Sequence, residues 1–261
     1  MDYRDRGFNY GDGVFETMRV RCHTIRFLDY HLARFTDACR RLSLTPPNAA
    51  RLRNELVRVA AQRPDAVLKL IVTRGIGVRG YRPSGGERCT RVISLHPLSR
   101  VAARADMGPA RVRLCAMRLG VNEALAGLKT LNRLESVLAR AEWTDARIWE
   151  GLMRDSEGHL VGGTMSNFFI RRGSSLITPK LDRCGIAGVM RRWVLEQADR
   201  LKLKPSEGRL RWEDLRVADE AFMTNAIVGI VPLSVIQNGR VHIRLAERQA
   251  SSELKRLLEL E

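Results

Sequence analysis

The chain of 261 residues lacks the features that mark several protein classes. Its five cysteines include no Cys-x-x-Cys pair, so neither a zinc ribbon nor a disulfide framework is supported. No apolar run approaches the roughly 20 residues that a membrane-spanning helix needs. Residues 1–6 are mostly charged and no apolar stretch follows them, so we expect no secretory signal. These absences predict a soluble, cytoplasmic protein with reduced cysteines and no membrane partner.

Lysine is scarce as well, although the chain is strongly basic. Six of the 45 basic residues are lysine, and the net charge is +16. Such a charge is typical of nucleic-acid-binding proteins, but the arginines are spread along the chain with no basic block of five or more. We therefore expect no nucleic-acid partner and interpret the charge as a compositional bias. Electrostatic steering of an anionic substrate is the alternative interpretation.

The distribution of apolar residues predicts an α/β organisation. Alternation predicts strands at 14–20, 24–28, 67–73, 91–97, 111–117, 220–224 and 229–236, whereas helical spacing predicts helices at 29–42, 49–62, 131–143, 189–203 and 246–258. Asp29 is a candidate N-cap for the first helix. A polar, alanine-rich stretch at 99–110 has no clear periodicity. We predict a small α/β domain at 1–98, a linker at 99–110 and a larger mixed domain at 111–261.

Lys129 is the first candidate for chemistry. It follows a run of small and apolar residues and directly precedes a predicted helix. Partial burial would favour the neutral amine, which is the form that attacks carbonyl carbon. On these residues alone, an exposed lysine at the start of a helix is the simpler interpretation.

Other segments could bind anions. Arg34 lies one helical turn after His31, and arginine matches phosphate oxygens well. A glycine-lined helix entry at 185–190 could present N–H groups to a phosphate, and Asn225-Ala226 could do so at the end of a strand. Arg79 and Tyr81 lie in a glycine-rich loop after a strand, where an arginine could bind a carboxylate. Each signal is weak alone, and a solvated helix or a mobile loop explains each equally well.

Taken together, five segments in order resemble the class IV aminotransferases, which are the fold-type-IV pyridoxal-phosphate enzymes. The segments are residues 5–16, 31–34, 127–135, 166–169 and 185–191. The resemblance implies an α/β (mixed α+β) fold of two domains, with a small N-terminal α/β domain and a larger mixed pseudo-barrel domain. It also implies the cofactor pyridoxal 5'-phosphate and a homodimer.

The resemblance assigns roles to individual residues. Lys129 would carry the cofactor and then act as the catalytic base. Residues implied to hold the cofactor besides Lys129 are Arg34, Asn167, Gly188, Val189, Met190, Asn225 and Ala226. Arg79 would bind a substrate carboxylate, with Tyr81 beside it.

Within the family, residues 69–81 and 122–133 most resemble the branch that eliminates pyruvate from 4-amino-4-deoxychorismate. The product, 4-aminobenzoate, belongs to folate biosynthesis. One alternative is an aminotransferase acting on D-amino acids or branched-chain amino acids. An alternative of another class is a catalytically weak cofactor-binding protein or a basic nucleic-acid-binding protein.

Two departures from the family pattern stand out. Gly162 occupies the position where the family usually has a glutamate that pairs with the pyridine nitrogen, so we expect a weaker electron sink. In addition, only residues 1–4 precede the Asp-Arg-Gly segment, where family members usually carry a further strand and turn. We expect that an upstream extension would raise the melting temperature, because it would cover a sheet edge.

Overall fold

The structure is a computed structural model that describes residues 2–98 and 108–261. Within these ranges the chain forms two compact units. The first comprises residues 2–98 with Leu128–Asn132, and the second comprises residues 108–127 and 133–261. The segment Leu128–Asn132 therefore packs in the first unit, although it falls inside the predicted second domain. Residues 99–107 of the predicted linker lie outside the described residues, and its last residue, Ala110, begins a strand.

The first unit is a four-stranded antiparallel sheet with helices packed on it. Its elements are α1 (Arg6–Tyr10), β1 (Gly13–Arg21), β2 (Thr24–Ile25), α2 (Leu28–Arg41), α3 (Ala49–Ala60), β3 (Asp65–Thr73) and β4 (Thr90–His96). The strand order is β2-β1-β3-β4. β1 pairs with β3 along its whole length, from Gly13 opposite Thr73 to Arg21 opposite Asp65.

The core of this unit lies on one face of β1. Alternate residues of a strand point to the same face, and Val14, Met18 and Val20 are buried in the same apolar cluster as Leu52 of α3. Glu16 belongs to the same alternating row and is equally buried. Burying a carboxylate costs free energy unless it has charged or hydrogen-bonding partners, so we expect such partners close to Glu16.

The structure corrects two details of the first predicted helix. The return strand expected at 24–28 is limited to Thr24–Ile25, and α2 begins at Leu28. Asp29 is not the N-cap, because it lies inside the first turn and its carboxylate pairs with Arg53 instead. The N-cap position belongs to Phe27, whose left-handed backbone (φ 56°) turns the chain from the hairpin into the helix.

The second unit is built on a curled, mixed sheet of nine strands. Its strands are β5 (Ala110–Leu119), β6 (Ile148–Asp155), β7 (Leu160–Gly163), β8 (Asn167–Arg172), β9 (Ser175–Pro179), β10 (Lys204–Gly208), β11 (Glu220–Asn225), β12 (Gly229–Asn238) and β13 (Val241–Arg244), and its helices are α4 (Leu134–Arg140), α5 (Val189–Gln197) and α6 (Gln249–Glu259). The strand order is β10-β9-β8-β11-β12-β5-β6-β7, and β13 pairs with β12. The predicted mixed α/β fold class is confirmed.

Several helices are shorter than predicted. The helix expected at 131–143 is limited to α4, because the preceding residues bond to β1: the Phe15 N–H donates to the Lys129 carbonyl (3.0 Å), and the Leu131 N–H donates to the Gly13 carbonyl (3.0 Å). The helix expected at 189–203 is α5 followed by a 3₁₀ turn at Ala198–Leu201. The last helix begins at Gln249 rather than at residue 246. None of the described helices is long and apolar enough to cross a membrane.

Candidate active site

Lys129 lies beside β1 in the first unit. Its carbonyl accepts a hydrogen bond from the Phe15 N–H, so its backbone is fixed against the strand. Its amine nitrogen, Nζ, lies 4.2 Å from the centroid of the Phe15 ring. An ammonium group over an aromatic face is attracted by the ring quadrupole, which gives the flexible side chain a preferred position. The structure therefore places the amine at a defined point on the sheet.

Arg34 is held by a buried carboxylate on β1. Its Nε donates to Oε1 of Glu16 (2.8 Å) and its Nη2 donates to Oε2 (2.5 Å), which is a bidentate pair. His31, one turn earlier on α2, donates from Nδ1 to Oε2 of the same glutamate (2.6 Å). Glu16 and His31 are almost completely buried. Glu16 thus fixes the guanidinium of Arg34 through charge-assisted hydrogen bonds.

The charges around Glu16 decide its protonation. Burial by itself would raise the pKa of the Glu16 carboxyl, but the charge of Arg34 and the hydrogen bonds from His31 and Arg34 lower this pKa from 4.5 to about 2. Burial lowers the pKa of His31 more than Glu16 raises it, and the charges of Arg34 and Lys129 add to the decrease. At neutral pH, Glu16 is therefore ionised and His31 is neutral. The first unit therefore places Arg34 in contact with Glu16, and places Lys129 close enough for its charge to lower the pKa of His31.

Glu16 bonds to both His31 and Arg34, and the sequence analysis left Glu16 and His31 without a role. His31 precedes Arg34 by three residues, which places both on one face of a helix. Glu16 is the polar exception in the buried row of β1. These two signals together could have indicated the pairing.

In the second unit, Asn167 lies against the start of α5. Its Nδ2 donates to the carbonyl of Ile186 (2.8 Å). A Cβ atom on Gly188 would lie 2.0 Å from Oδ1 of Asn167, so a residue with a side chain does not fit there without moving the asparagine. Gly188 is the N-cap of α5 and supplies no side-chain cap to the helix N–H groups. The start of α5, including Val189 and Met190, therefore offers a favourable environment for an anion.

A second polar group lies nearby in the same sheet. Thr224 on β11 is directly opposite Asn167 on β8. Thr224 is fully buried, and its Oγ1 has no hydrogen-bond partner among the described residues. The next residue, Asn225, turns the chain after Ala226 because its Oδ1 accepts the N–H groups of Ile227 and Val228 (2.9 Å each). An uncapped helix start and an unsatisfied hydroxyl on the strand opposite Asn167 fit a phosphate group well.

Gly162 leaves no carboxylate at its position, and the buried Glu150 on β6 is fully engaged elsewhere. The oxygens of Glu150 accept hydrogen bonds from the backbone or side chains of Gly151, Thr164, Met165 and Ser166, at 2.6 to 3.2 Å. Burial raises the pKa of the Glu150 carboxyl, and these hydrogen bonds offset only part of that increase. Glu150 therefore stabilises the turn after β7.

Arg79 and Tyr81 lie in the exposed loop between β3 and β4, and Tyr81 is 85% exposed. The Tyr81 ring lies 5.5 Å from the ring of Tyr10. Within the described residues of the first unit, neither side chain forms a hydrogen bond or an ion pair with Lys129 or Arg34. Their role in substrate binding stays a prediction.

Comparisons with known proteins identify the family of this chain. Residues 13–236 match the family described as Amino-transferase class IV. An aminodeoxychorismate lyase from Vibrio harveyi is 32% identical over 89% of this chain and 86% of its own length. A putative branched-chain-amino-acid aminotransferase from Methanocaldococcus jannaschii is 32% identical over 98% of this chain and 88% of its own.

A solved structure covers the whole chain. The 4-amino-4-deoxychorismate lyase from Pseudomonas aeruginosa is 41% identical and superposes with a TM-score of 0.92, covering 100% of this chain and 95% of that one. The family resemblance stated from the sequence is confirmed. This protein belongs to the class IV aminotransferase family.

Proposed function

We propose that the protein is a pyridoxal-phosphate-dependent lyase that converts 4-amino-4-deoxychorismate into 4-aminobenzoate and pyruvate. The observation that carries this choice is the 41% identity to a solved lyase over the entire chain. The geometry supports it, because Lys129 has a defined position beside β1 and the start of α5 offers an anion site. These are the groups that a cofactor with an aldehyde and a phosphate requires.

The residues present fit pyridoxal 5'-phosphate. We propose that Lys129 holds its aldehyde and that Asn167 contacts its ring. The groups we propose for its phosphate are Arg34 and the backbone at Gly188, Val189, Met190, Asn225 and Ala226. The unsatisfied hydroxyl of Thr224 supports this assignment, since a buried hydroxyl without a partner costs free energy. When bound, the cofactor supplies an aldehyde that reacts with the substrate amine and a ring that accepts an electron pair.

Lys129 then has two tasks. Displaced from the aldehyde by the substrate amine, its free amine would take the proton from the ring carbon that bears the substrate nitrogen. Loss of this proton allows the bond between the neighbouring ring carbon and the ether oxygen to break. The side chain leaves as the enolate of pyruvate, which takes up a proton at its methylene carbon to become pyruvate. The remaining ring becomes aromatic, which makes the elimination favourable. Arg79 would pair with a substrate carboxylate, and Tyr81 would lie beside it.

We also propose a homodimer in the cytoplasm. Leu134, Val137 and Leu138 of α4 share one helix face and are 70%, 60% and 51% exposed. An apolar stripe of this kind favours burial against another surface, and a second copy of the chain is the occupant we propose. Analytical ultracentrifugation should give a dimer, and Leu138→Glu should shift it towards the monomer.

The cysteines of the described residues are all free thiols, which supports a reducing compartment.

The activity test uses purified, cofactor-loaded protein and 4-amino-4-deoxychorismate. We expect 4-aminobenzoate and pyruvate in equal amounts, and no turnover by Lys129→Ala.

A second candidate function is amino transfer, because the Methanocaldococcus jannaschii relative of similar identity is named a putative branched-chain-amino-acid aminotransferase. Formation of glutamate from 2-oxoglutarate with branched-chain amino acids or D-alanine, without product from 4-amino-4-deoxychorismate, would favour that candidate.

A further inference from the structure

The loop at 74–89 carries the two residues assigned to the substrate. It is rich in glycine and exposed over residues 79–86. Gly75, Gly80 and Gly85 all have positive φ angles (100°, 103° and 87°), a region of backbone conformation that glycine adopts readily. A chain of this composition has many accessible conformations, so ordering it to bind a ligand would cost entropy. The structure bonds the backbone of Gly80 and Tyr81, in the exposed part of this loop, to side chains of α1.

Arg6 of α1 fixes the loop by hydrogen bonds to its backbone carbonyls. Its side chain is 4% exposed. Nη1 donates to the carbonyl of Gly80 (2.8 Å), Nη2 donates to the carbonyl of Tyr81 (2.7 Å), and Nε donates to the carboxylate of Asp12 (2.9 Å). Because the guanidinium is planar and forked, its two terminal nitrogens reach two successive carbonyls at once. Asp12 also accepts a hydrogen bond from Nε of Arg74 at the start of the loop (2.8 Å). The guanidinium of Arg6 is therefore held by Asp12 at Nε and by the two loop carbonyls at its terminal nitrogens.

Tyr10, at the end of α1, bonds to the backbone N–H of Gly80, whereas Arg6 bonds to the carbonyl of the same residue. Its hydroxyl accepts the N–H of Gly80 (3.1 Å). Its ring lies 5.0 Å from Cζ of Arg6 and 5.5 Å from the ring of Tyr81. The N–H and C=O of Gly80 and the C=O of Tyr81 are therefore all bonded to side chains of α1. Arg79 immediately precedes this anchored peptide, and its own side chain bonds to no other described residue.

We propose that Arg6 and Tyr10 are positioning residues that fix residues 79–81 so that Arg79 is oriented to bind a carboxylate of the substrate. This inference rests on the proposed function, from which Arg79 and Tyr81 take their roles. An anchored backbone loses less conformational freedom when Arg79 pairs with its ligand, so the anchor increases substrate affinity. Neither Arg6 nor Tyr10 needs to touch the substrate to do this.

The test is a set of steady-state kinetic measurements on the loaded enzyme. Arg6→Lys keeps the charge but loses the fork, and we expect KM for 4-amino-4-deoxychorismate to rise about tenfold while kcat stays within about twofold. Tyr10→Phe removes only the hydroxyl acceptor and should raise KM in the same direction by a smaller factor. Arg4→Lys is the matched control, because the Arg4 side chain is 56% exposed and its guanidinium pairs with Asp2 rather than with the loop.

Coupling to Arg79 separates positioning from a general structural effect. In an Arg79→Ala background, Arg6→Lys should cause no further rise in KM. An equal rise in both backgrounds, or an unchanged KM in both single variants at Arg6 and Tyr10, overturns the proposal.

A readout without substrate separates the two proposals. Amide hydrogen exchange at residues 78–82 should accelerate in Arg6→Lys, and unchanged exchange overturns the anchor. If the wild-type protein forms no 4-aminobenzoate, the proposed function fails, and the exchange result alone then decides whether Arg6 anchors the loop.

Discussion

Replacing Glu16 by glutamine removes one negative charge from a buried group that bonds to two side chains of α2. The amide keeps the size of the carboxylate and can still accept a hydrogen bond from His31. It cannot balance the charge of Arg34, whose Nε and Nη2 both donate to Glu16 oxygens in the native protein. The variant therefore removes the negative charge that pairs with this partly buried guanidinium.

The magnitude follows from the protonation of the carboxyl. Its pKa lies at about 2 instead of the usual 4.5. Since one pKa unit corresponds to about 1.4 kcal/mol, the ionised form stabilises the folded state by about 3 kcal/mol at neutral pH. Breaking one partner of a buried pair typically costs about 3–5 kcal/mol, which agrees. For a chain of this size, a loss of about 3 kcal/mol lowers the melting temperature by about 6–12 °C.

The pH dependence has a fixed sign. Because folding lowers the pKa of Glu16, its contribution is complete above pH 4.5 and is lost as the pH falls from 4.5 towards 2. The difference in stability between wild type and Glu16→Gln should therefore be constant from pH 6 to 8 and should shrink below pH 4.5.

Thermal melts followed by circular dichroism, with hydrogen exchange on β1 and α2, test this prediction. Exchange should accelerate in the first unit and stay unchanged in β8 and β11 of the second. Glu55→Gln is the matched control, because Glu55 also pairs with two arginines but is 23% exposed, and such pairs contribute about 1 kcal/mol or less. A Glu16→Gln melt within about 2 °C of wild type, equal to the control, would refute the reasoning.

Three further substitutions test other parts of the account. Gly162→Glu should raise turnover by restoring a carboxylate, yet lower the free energy of unfolding by about 1–3 kcal/mol, because its Cβ would lie 2.8 Å from the Ser166 carbonyl. Gly162→Ala is the control and should share only the loss of stability. Equal turnover by the two variants would show that the missing carboxylate does not limit the reaction. Gly188→Ala should weaken cofactor binding about tenfold by displacing Asn167, as measured by fluorescence titration, whereas Gly86→Ala meets open space and should not. Glu220→Gln should destabilise α6, seen as faster hydrogen exchange there, because the buried Glu220 accepts the N–H groups of Ala250 and Ser251 (2.9 and 2.8 Å); unchanged exchange would contradict this role.

The fold was predictable where local pattern and tertiary packing agree. The alternation in β1 and the helical spacing of α2 and α3 are visible in the sequence because one face of each packs on the core. The helix expected at 131–143 was wrong at its start, because hydrogen bonds to β1, more than a hundred residues away in sequence, hold Leu128–Asn132 in another conformation. The short α1 was missed, since five residues show no helical period.

The candidate site was predictable only through the family resemblance, which implies roles for Lys129 and Arg34. The structure adds what holds Arg34 in place. Glu16 lies 15 and 18 residues before its partners, so only the folded chain shows that it bonds to His31 and Arg34. The unpartnered hydroxyl of Thr224 has no sequence signal at all, because lack of a partner is a property of packing.

The central claim is that the amine of Lys129 carries a pyridoxal aldehyde, and chemical trapping tests it most directly. Protein loaded with pyridoxal 5'-phosphate is reduced with borohydride, digested and analysed by peptide mass spectrometry. The account predicts one phosphopyridoxyl adduct, located on Lys129, and none in Lys129→Ala. An unmodified Lys129 peptide, or an adduct confined to another of the six lysines, would contradict it.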